Sequence, residues 1–136
     1  MKPAEHVHPP HRVLVLDNNR DYADSIGDLL RLACDWDVDV AYDGSEGLSQ
    51  AIEHPPDAVL MDLEVDDQSG FDIADRMQHA LGGRVPPLVA VTGNADLQDE
   101  AAHDKRFAQA LLKPASTEQL VRLLNGLVEA PDTDAP

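Results

Sequence analysis

The sequence predicts an α/β fold: a five-stranded parallel sheet, doubly wound, with helices on both faces in a (βα)5 three-layer sandwich. Two observations predict it. Five apolar runs, at 12–17, 37–44, 57–62, 86–93 and 108–114, alternate with five segments of helical spacing, the signature of a βαβ chain. The first, third and fourth runs are almost unbroken, as central parallel strands buried on both faces should be.

Each element has its own warrant. "RVLVLD" (12–17) is the first strand, and "DYADSIGDLLRLA" (21–33) carries Ala23, Ile26, Leu29, Leu30 and Ala33 as one helical stripe. "DVDVAYDG" (37–44) alternates Val38, Val40 and Tyr42, then ends in an Asp43-Gly44 turn signal. "SEGLSQAIEH" (45–54) is a short helix stopped by Pro55 and Pro56. "DAVLMD" (57–62) is the third strand, and "GFDIADRMQHAL" (70–81) a helix with Phe71, Ile73, Ala74 and Met77 inward. "PPLVAVTG" (86–93), "NADLQDEAAH" (94–103) and "AQALLKP" (108–114) follow as strand, helix and strand. The last helix, "STEQLVRLLNGLV" (116–128), is capped by Ser116 and buries Leu120, Leu123, Leu124 and Leu127. The polar, proline-rich ends 1–10 and 130–136 read as tails around a domain at 11–129.

Charge and composition narrow the function. A formal net charge of −16, with ten scattered Lys and Arg, argues against nucleic-acid binding through phosphate neutralisation. A single cysteine, Cys34, excludes an intramolecular disulfide and reads as a small half-buried hydrophobe in a reducing compartment. With no membrane-length apolar stretch and no signal-type segment, a cytoplasmic location is expected. His6, His8 and His11 match no helical ligand spacing and read as part of the solvated tail rather than a metal site.

The informative residues close the strands. Strand 1 stops at Asp17 and Asn18, strand 3 at Asp62, strand 4 at Thr92-Gly93 and strand 5 at Lys113-Pro114. An Asp ending a strand is commonly only a turn or a cap. Open α/β sheets, however, bind ligands beyond the carboxyl ends of their strands, and here two acids, an amide, a hydroxyl and an ammonium converge there. Oxygen donors of this kind suit Mg²⁺, and a carboxylate beside it is a candidate nucleophile toward phosphorus. Metal, ammonium and hydroxyl would each meet one oxygen of a transferring phosphoryl group. No Ser, Cys or His partner stands at these ends for acyl transfer, and no P-loop or GxGxxG is present for a nucleotide.

On "VLVLDNNRD", "DAVLMDLEVDDQSGFD", "LVAVTG" and "LLKP", in that order, the sequence resembles the receiver domains of two-component response regulators over roughly residues 11–129. The resemblance implies a flavodoxin-like sheet of order 2-1-3-4-5. It implies Asp62 as phosphoacceptor from a phosphohistidine on a histidine kinase or histidine phosphotransfer protein. It further implies Mg²⁺ held by Asp17, Asn18, Asp62 and the backbone carbonyl of Glu64. Thr92 and Lys113 would contact the phosphoryl oxygens, and Lys113-Pro114 would be cis.

Three positions depart from the family pattern. Asn18 replaces a second acid, so Mg²⁺ binding is expected to weaken on the order of tenfold or more, unless the Glu64 carboxylate swings in. Asp66 stands where proline is usual, which suggests a looser, more acidic loop. Ala110 replaces the usual Tyr or Phe, so the family's Thr–aromatic switch cannot be carried over. Signalling would run through the strand 4–helix 4 region, or the domain would act as a relay or sink. The leading expectation is a single-domain response regulator without a DNA-binding module or membrane contact. It would signal to a downstream protein target by contact or onward phosphotransfer, and turn over no free substrate. The alternatives are an unphosphorylated pseudo-receiver used for protein interaction, and an Mg²⁺-dependent phosphatase with Glu64 as second acid, which lacks a cap domain.

Overall fold

The computed structural model describes residues 11–65 and 68–129; the expected tails, His6, His8 and Asp66 lie outside them. The main sheet comprises β1 (Arg12–Leu16), β2 (Asp37–Ala41), β3 (Ala58–Met61), β4 (Leu88–Thr92) and β5 (Gln109–Leu112). All neighbours are parallel, and the spatial order is β2-β1-β3-β4-β5, the expected 2-1-3-4-5 arrangement. Helices α1 (Arg20–Ala33), α2 (Gly44–Glu53), α3 (Gly70–Leu81), α4 (Ala95–Ala102) and α5 (Thr117–Glu129) fill the crossovers.

Side-chain alternation along the strands divides the core in two. Val13 and Val15 of β1, Leu60 of β3 and Val89 of β4 face Ala23, Ile26 and Leu30 of α1 and Leu120 and Leu124 of α5. Leu14, Leu16, Val59, Met61 and Ala90 face the other way, against Ala51 of α2, Ile73, Ala74 and Met77 of α3, and Ala101 of α4. Every residue of β3 and β4 is buried, because both faces are covered. On the edges, β2 and β5 are only partly buried.

Several expectations need correction. Leu29 and Ala33 do not belong to the α1 stripe: Leu29 is 44% exposed, and Ala23, Ile26, Gly27 and Leu30 form the buried line. Gly27 takes the inward place because a Cβ there would come within 3.0 Å of Val40. Phe71 keeps its expected inward side, partly buried at the margin of the core with its ring edge-to-face with Phe107 at 5.5 Å between centroids. Asp43 is not merely a turn residue but the N-cap of α2, accepting from the Glu46 N–H at 2.8 Å. Ladder pairing of β4 begins at Leu88 rather than at the prolines. The loop after β3 contains a two-stranded antiparallel hairpin, Glu64–Val65 with Gln68–Ser69, that periodicity over so short a stretch could not reveal. A 3₁₀ turn, Gly82–Arg84, follows α3, with Gly82 at φ 59°.

Ser116 does cap α5, accepting from the Gln119 N–H at 3.0 Å, and Cys34 is half-buried. His11 packs its ring against Trp36, 5.1 Å between centroids. Arg106, in the loop before β5, ties that loop to α3: it donates to the Phe71 carbonyl at 3.0 Å and pairs with Asp75 and Asp104. Among the described residues, no helix is long and apolar enough to cross a membrane.

Candidate functional site at the carboxyl edge of the sheet

The site is built by strand register. Leu16 of β1 lies opposite Met61 of β3, and the ladder runs one residue further, with the Asp62 N–H donating to the Leu16 carbonyl at 2.9 Å. Asp17 is fixed from the other side, donating its N–H to the Ala41 carbonyl at 3.1 Å. The two acids therefore leave adjacent strands about one strand spacing (~4.8 Å) apart. Both are deeply buried, Asp17 3% and Asp62 8% exposed.

Lys113, just past β5, comes from the far edge of the sheet. Its backbone N–H donates to the Thr92 carbonyl at 2.8 Å. Its Nζ sits 2.7 Å from Asp17 Oδ2 and 3.9 Å from Asp62 Oδ2. Lys113-Pro114 is cis, as the resemblance implied.

The strand end at Asp17 serves as both turn and site. Asp17 Oδ1 accepts the Asn19 N–H at 2.9 Å, closing a local turn, while Oδ2 meets Lys113. Asn19 is the N-cap of α1, accepting from the Tyr22 N–H at 3.1 Å. Asn18 lies between them at the exposed rim.

Of the remaining predicted residues, Thr92 is fully buried at the end of β4, and its Oγ1 accepts the Asn94 N–H at 3.1 Å. Glu64 lies in the hairpin with its side chain exposed, and its N–H donates to Asp62 Oδ1 at 3.3 Å. The structure thus brings Asp17, Asp62 and Lys113 into direct mutual reach. Thr92 and Glu64 sit on the adjoining segments.

Charge in this hollow is under-compensated. Burial and the Asp17 charge push the Asp62 carboxyl up to about 6, against the opposite pull of Lys113 and of the Glu64 and Leu63 N–H groups. A further positive charge nearby would favour the ionised form of this carboxyl group. Among the described residues, no group of three or more His, Cys, Asp or Glu side chains could hold a metal. Two carboxylates beside an amide remain, and Mg²⁺ often takes only one or two carboxylates with waters and phosphate. The donor set therefore fits Mg²⁺.

Two residues at the site were missed by sequence reasoning. Gly70 opens α3 against the backbone of the Asp62 segment: a Cβ on it would lie 2.7 Å from the Asp62 carbonyl oxygen and 2.7 Å from Leu63 Cα. Its N–H donates to the Leu63 carbonyl at 2.8 Å. The only signal was a glycine at the start of a helix, following the acid by eight positions. Tyr22 places its ring beneath Lys113, with Nζ 4.2 Å from the centroid. Its spacing of four from Ile26 reads as ordinary core packing, and its ring is indeed partly buried against the cluster that includes Ile26. Burial, then the charges of Asp17 and Asp62, push its phenol up.

Ala110 lies in β5, opposite Ala90 of β4, and its carbonyl accepts from Gln98 of α4 at 3.3 Å. A bond from an α4 side chain to the β5 backbone is thus present at the position where an aromatic side chain is usual in the resembled family.

Comparison with known proteins agrees with this architecture. The family described as "Response regulator receiver domain" matches residues 13–125. The chain is 25% identical over 122 residues to the DNA-binding dual master transcriptional regulator RpaA of a Synechocystis strain, covering 89% of this chain and 50% of that protein. It is 28% identical over 123 residues to the transcriptional regulatory protein TrcR of Mycobacterium tuberculosis, covering 88% and 46%. The chain thus spans about half the length of the curated relatives it matches. Among solved structures, a CheY-like receiver domain protein from Methanospirillum hungatei superposes with a TM-score of 0.81 at 19% identity, covering 93% of this chain and all of that one. A receiver domain from Clostridium thermocellum gives 0.78 at 24% identity, covering 90% and 98%.

Proposed function

Because the chain belongs to the response regulator receiver domain family, we propose that it accepts a phosphoryl group on Asp62 and transmits a two-component signal by protein contact or onward phosphotransfer. One observation carries this reading. Asp62 is a buried carboxyl group at the end of a central strand, with a second acid beside it and an ammonium within 3.9 Å.

In the proposed step a carboxylate oxygen of Asp62 forms a bond to phosphorus as the N–P bond of a donor phosphohistidine breaks. The imidazole nitrogen keeps the electron pair. Asp17, Asp62, Asn18 and the Glu64 carbonyl would hold Mg²⁺, which supplies charge neutralisation for the equatorial oxygens. Lys113 is already in the hollow and needs only to turn from Asp17 toward a phosphoryl oxygen. Thr92 would give up its contact with Asn94 to meet another. The aspartyl phosphate carries about −2 where the carboxylate carried −1, so a site that already lacks cations gains about one further negative charge, which favours rearrangement of the surrounding loops.

The donor would be a histidine kinase or a histidine phosphotransfer protein, and the recipient a downstream protein. The described domain's acidity supports a protein target over nucleic acid. DNA binding is named for RpaA and stays with that protein. A pseudo-receiver reading draws on Asn18 and Ala110, which remove one charge and one aromatic ring.

Acetyl phosphate with Mg²⁺, followed by intact-mass measurement, separates the two. A phosphate-sized gain that disappears in Asp62→Ala is expected. No gain at saturating Mg²⁺ would replace phosphotransfer with the pseudo-receiver.

A further inference from the structure

Among the described residues, Tyr22 brings the one aromatic ring recorded over the Lys113 ammonium. Lys113 Nζ lies 4.2 Å from its ring centroid, 2.7 Å from Asp17 and 3.9 Å from Asp62. The ammonium is therefore held from below by a π face and from the sides by two carboxylates. The Tyr22 hydroxyl is buried and makes no hydrogen bond to protein. It helps line a cavity of about 10 Å³, shared with Asp17, Asp62, Ile26, Val91 and Leu120. No side-chain hydrogen bond anchors the phenol, so packing sets its position. What it offers the site is a ring face.

Resting on the phosphoacceptor reading of Asp62, we propose that Tyr22 is a positioning residue whose ring holds the Lys113 ammonium over the acceptor carboxyl during phosphoryl transfer. The physical reason lies in the two distances. Lys113 is closer to Asp17 than to Asp62, so it must change partners when Asp62 gains a phosphoryl group. A hydrogen bond would tie the ammonium to one direction. A ring face attracts the cation wherever it lies over the face, does not fix which N–H points to which oxygen, and so lets the ammonium swing between two acceptors above the ring at little cost. The long, flexible stem of Lys113 would otherwise sample solvent, since its side chain is 22% exposed.

The experiment uses the full chain with acetyl phosphate. An Asp62 oxygen bonds to phosphorus, the bond to the acetyl oxygen breaks, and acetate leaves with the electron pair. Phosphorylation rates are compared in wild type, Tyr22→Phe, Tyr22→Leu, Lys113→Ala and the Tyr22→Leu/Lys113→Ala pair, with far-UV circular dichroism as a folding control. In parallel, the Lys113 Cε methylene protons are followed by NMR, because a ring beneath them shifts them upfield.

Tyr22→Leu is expected to slow phosphorylation roughly three- to tenfold and abolish the upfield shift. Tyr22→Phe should retain both, and Tyr22→Leu should add nothing once Lys113 is gone. A wild-type rate in Tyr22→Leu, or equal slowing in the Lys113→Ala background, overturns the proposal. If wild type takes up no phosphate, the phosphoacceptor reading fails instead. The NMR shift then judges the ring–ammonium contact by itself, and its absence overturns that too.

Discussion

Lys113 Nζ lies 2.7 Å from Asp17 Oδ2 but 3.9 Å from Asp62 Oδ2, so the counter-charge rests mainly on the neighbour of the group proposed to react. Asp62 is left partly uncompensated, and its raised carboxyl pKa follows from burial and from that arrangement. Four predictions come from this geometry.

Removing the ammonium leaves two buried acids without their cation. Lys113→Ala should destabilise the fold at neutral pH by about 3 kcal/mol, the cost of stripping one partner from a largely buried pair. The Asp62 carboxyl should also climb further above 6. Chemical denaturation with carboxyl-carbon NMR checks both, and an unmoved Asp62 titration would contradict the assignment of Lys113 as its counter-ion.

Asp62 itself should cost stability when ionised. Its folded pKa, about 6, exceeds the ordinary value of 3.8. Between these values the native state binds more protons than the unfolded chain, so stability falls as pH rises from about 4 to about 6 and levels off above. Asp62→Asn should flatten that segment of the metal-free profile. At pH 7 it should be more stable than wild type, on the order of 1–3 kcal/mol. Added Mg²⁺ should stabilise wild type and leave Asp62→Asn nearly unchanged. Parallel profiles for the two proteins would mean that Asp62 is not strained by burial.

Asn18 sets the charge of the cation site. Asn18→Asp restores a third carboxyl group and should tighten Mg²⁺ binding roughly tenfold, read by isothermal titration calorimetry. Without Mg²⁺ the same substitution should raise the Asp62 pKa, since it adds a like charge nearby. Equal affinity in both proteins would show that the amide does not weaken the site.

Gly70 permits the close approach of α3 to the acceptor segment. With backbone atoms of Asp62 and Leu63 at 2.7 Å from an added Cβ, Gly70→Ala must displace main chain rather than a flexible side chain. A loss of about 1–3 kcal/mol is expected, together with slower acetyl phosphate labelling. A variant matching wild type in both would mean that the helix start can shift without disturbing Asp62.

The strands and helices could be read in advance because their signals are local. Continuous apolar runs mark β1, β3 and β4, and the cap at Ser116 involves a residue only three positions on. Asp17, Asp62, Thr92 and Lys113 could be singled out because each closes a run, so their offset from a strand is written in the chain. Glu64 was expected, through its backbone carbonyl, only from the family resemblance. The side-facing assignments of Leu29 and Ala33 were less legible, since helical spacing gives a stripe but not its centre.

By itself the sequence determined the alternation of elements, the burial of the central strands and the polar residue at each strand's end. Tertiary structure alone decided which of those residues meet. Parallel pairing of β1 with β3 placed Asp17 beside Asp62 across 45 positions of chain, and β5 at the far edge delivered Lys113 to both acids, closer to Asp17 than to Asp62. It also put the Tyr22 ring under that ammonium and Gly70 against the acceptor's backbone. These are contacts between distant segments, fixed by register and packing of the whole sheet, and no window of the sequence contains them.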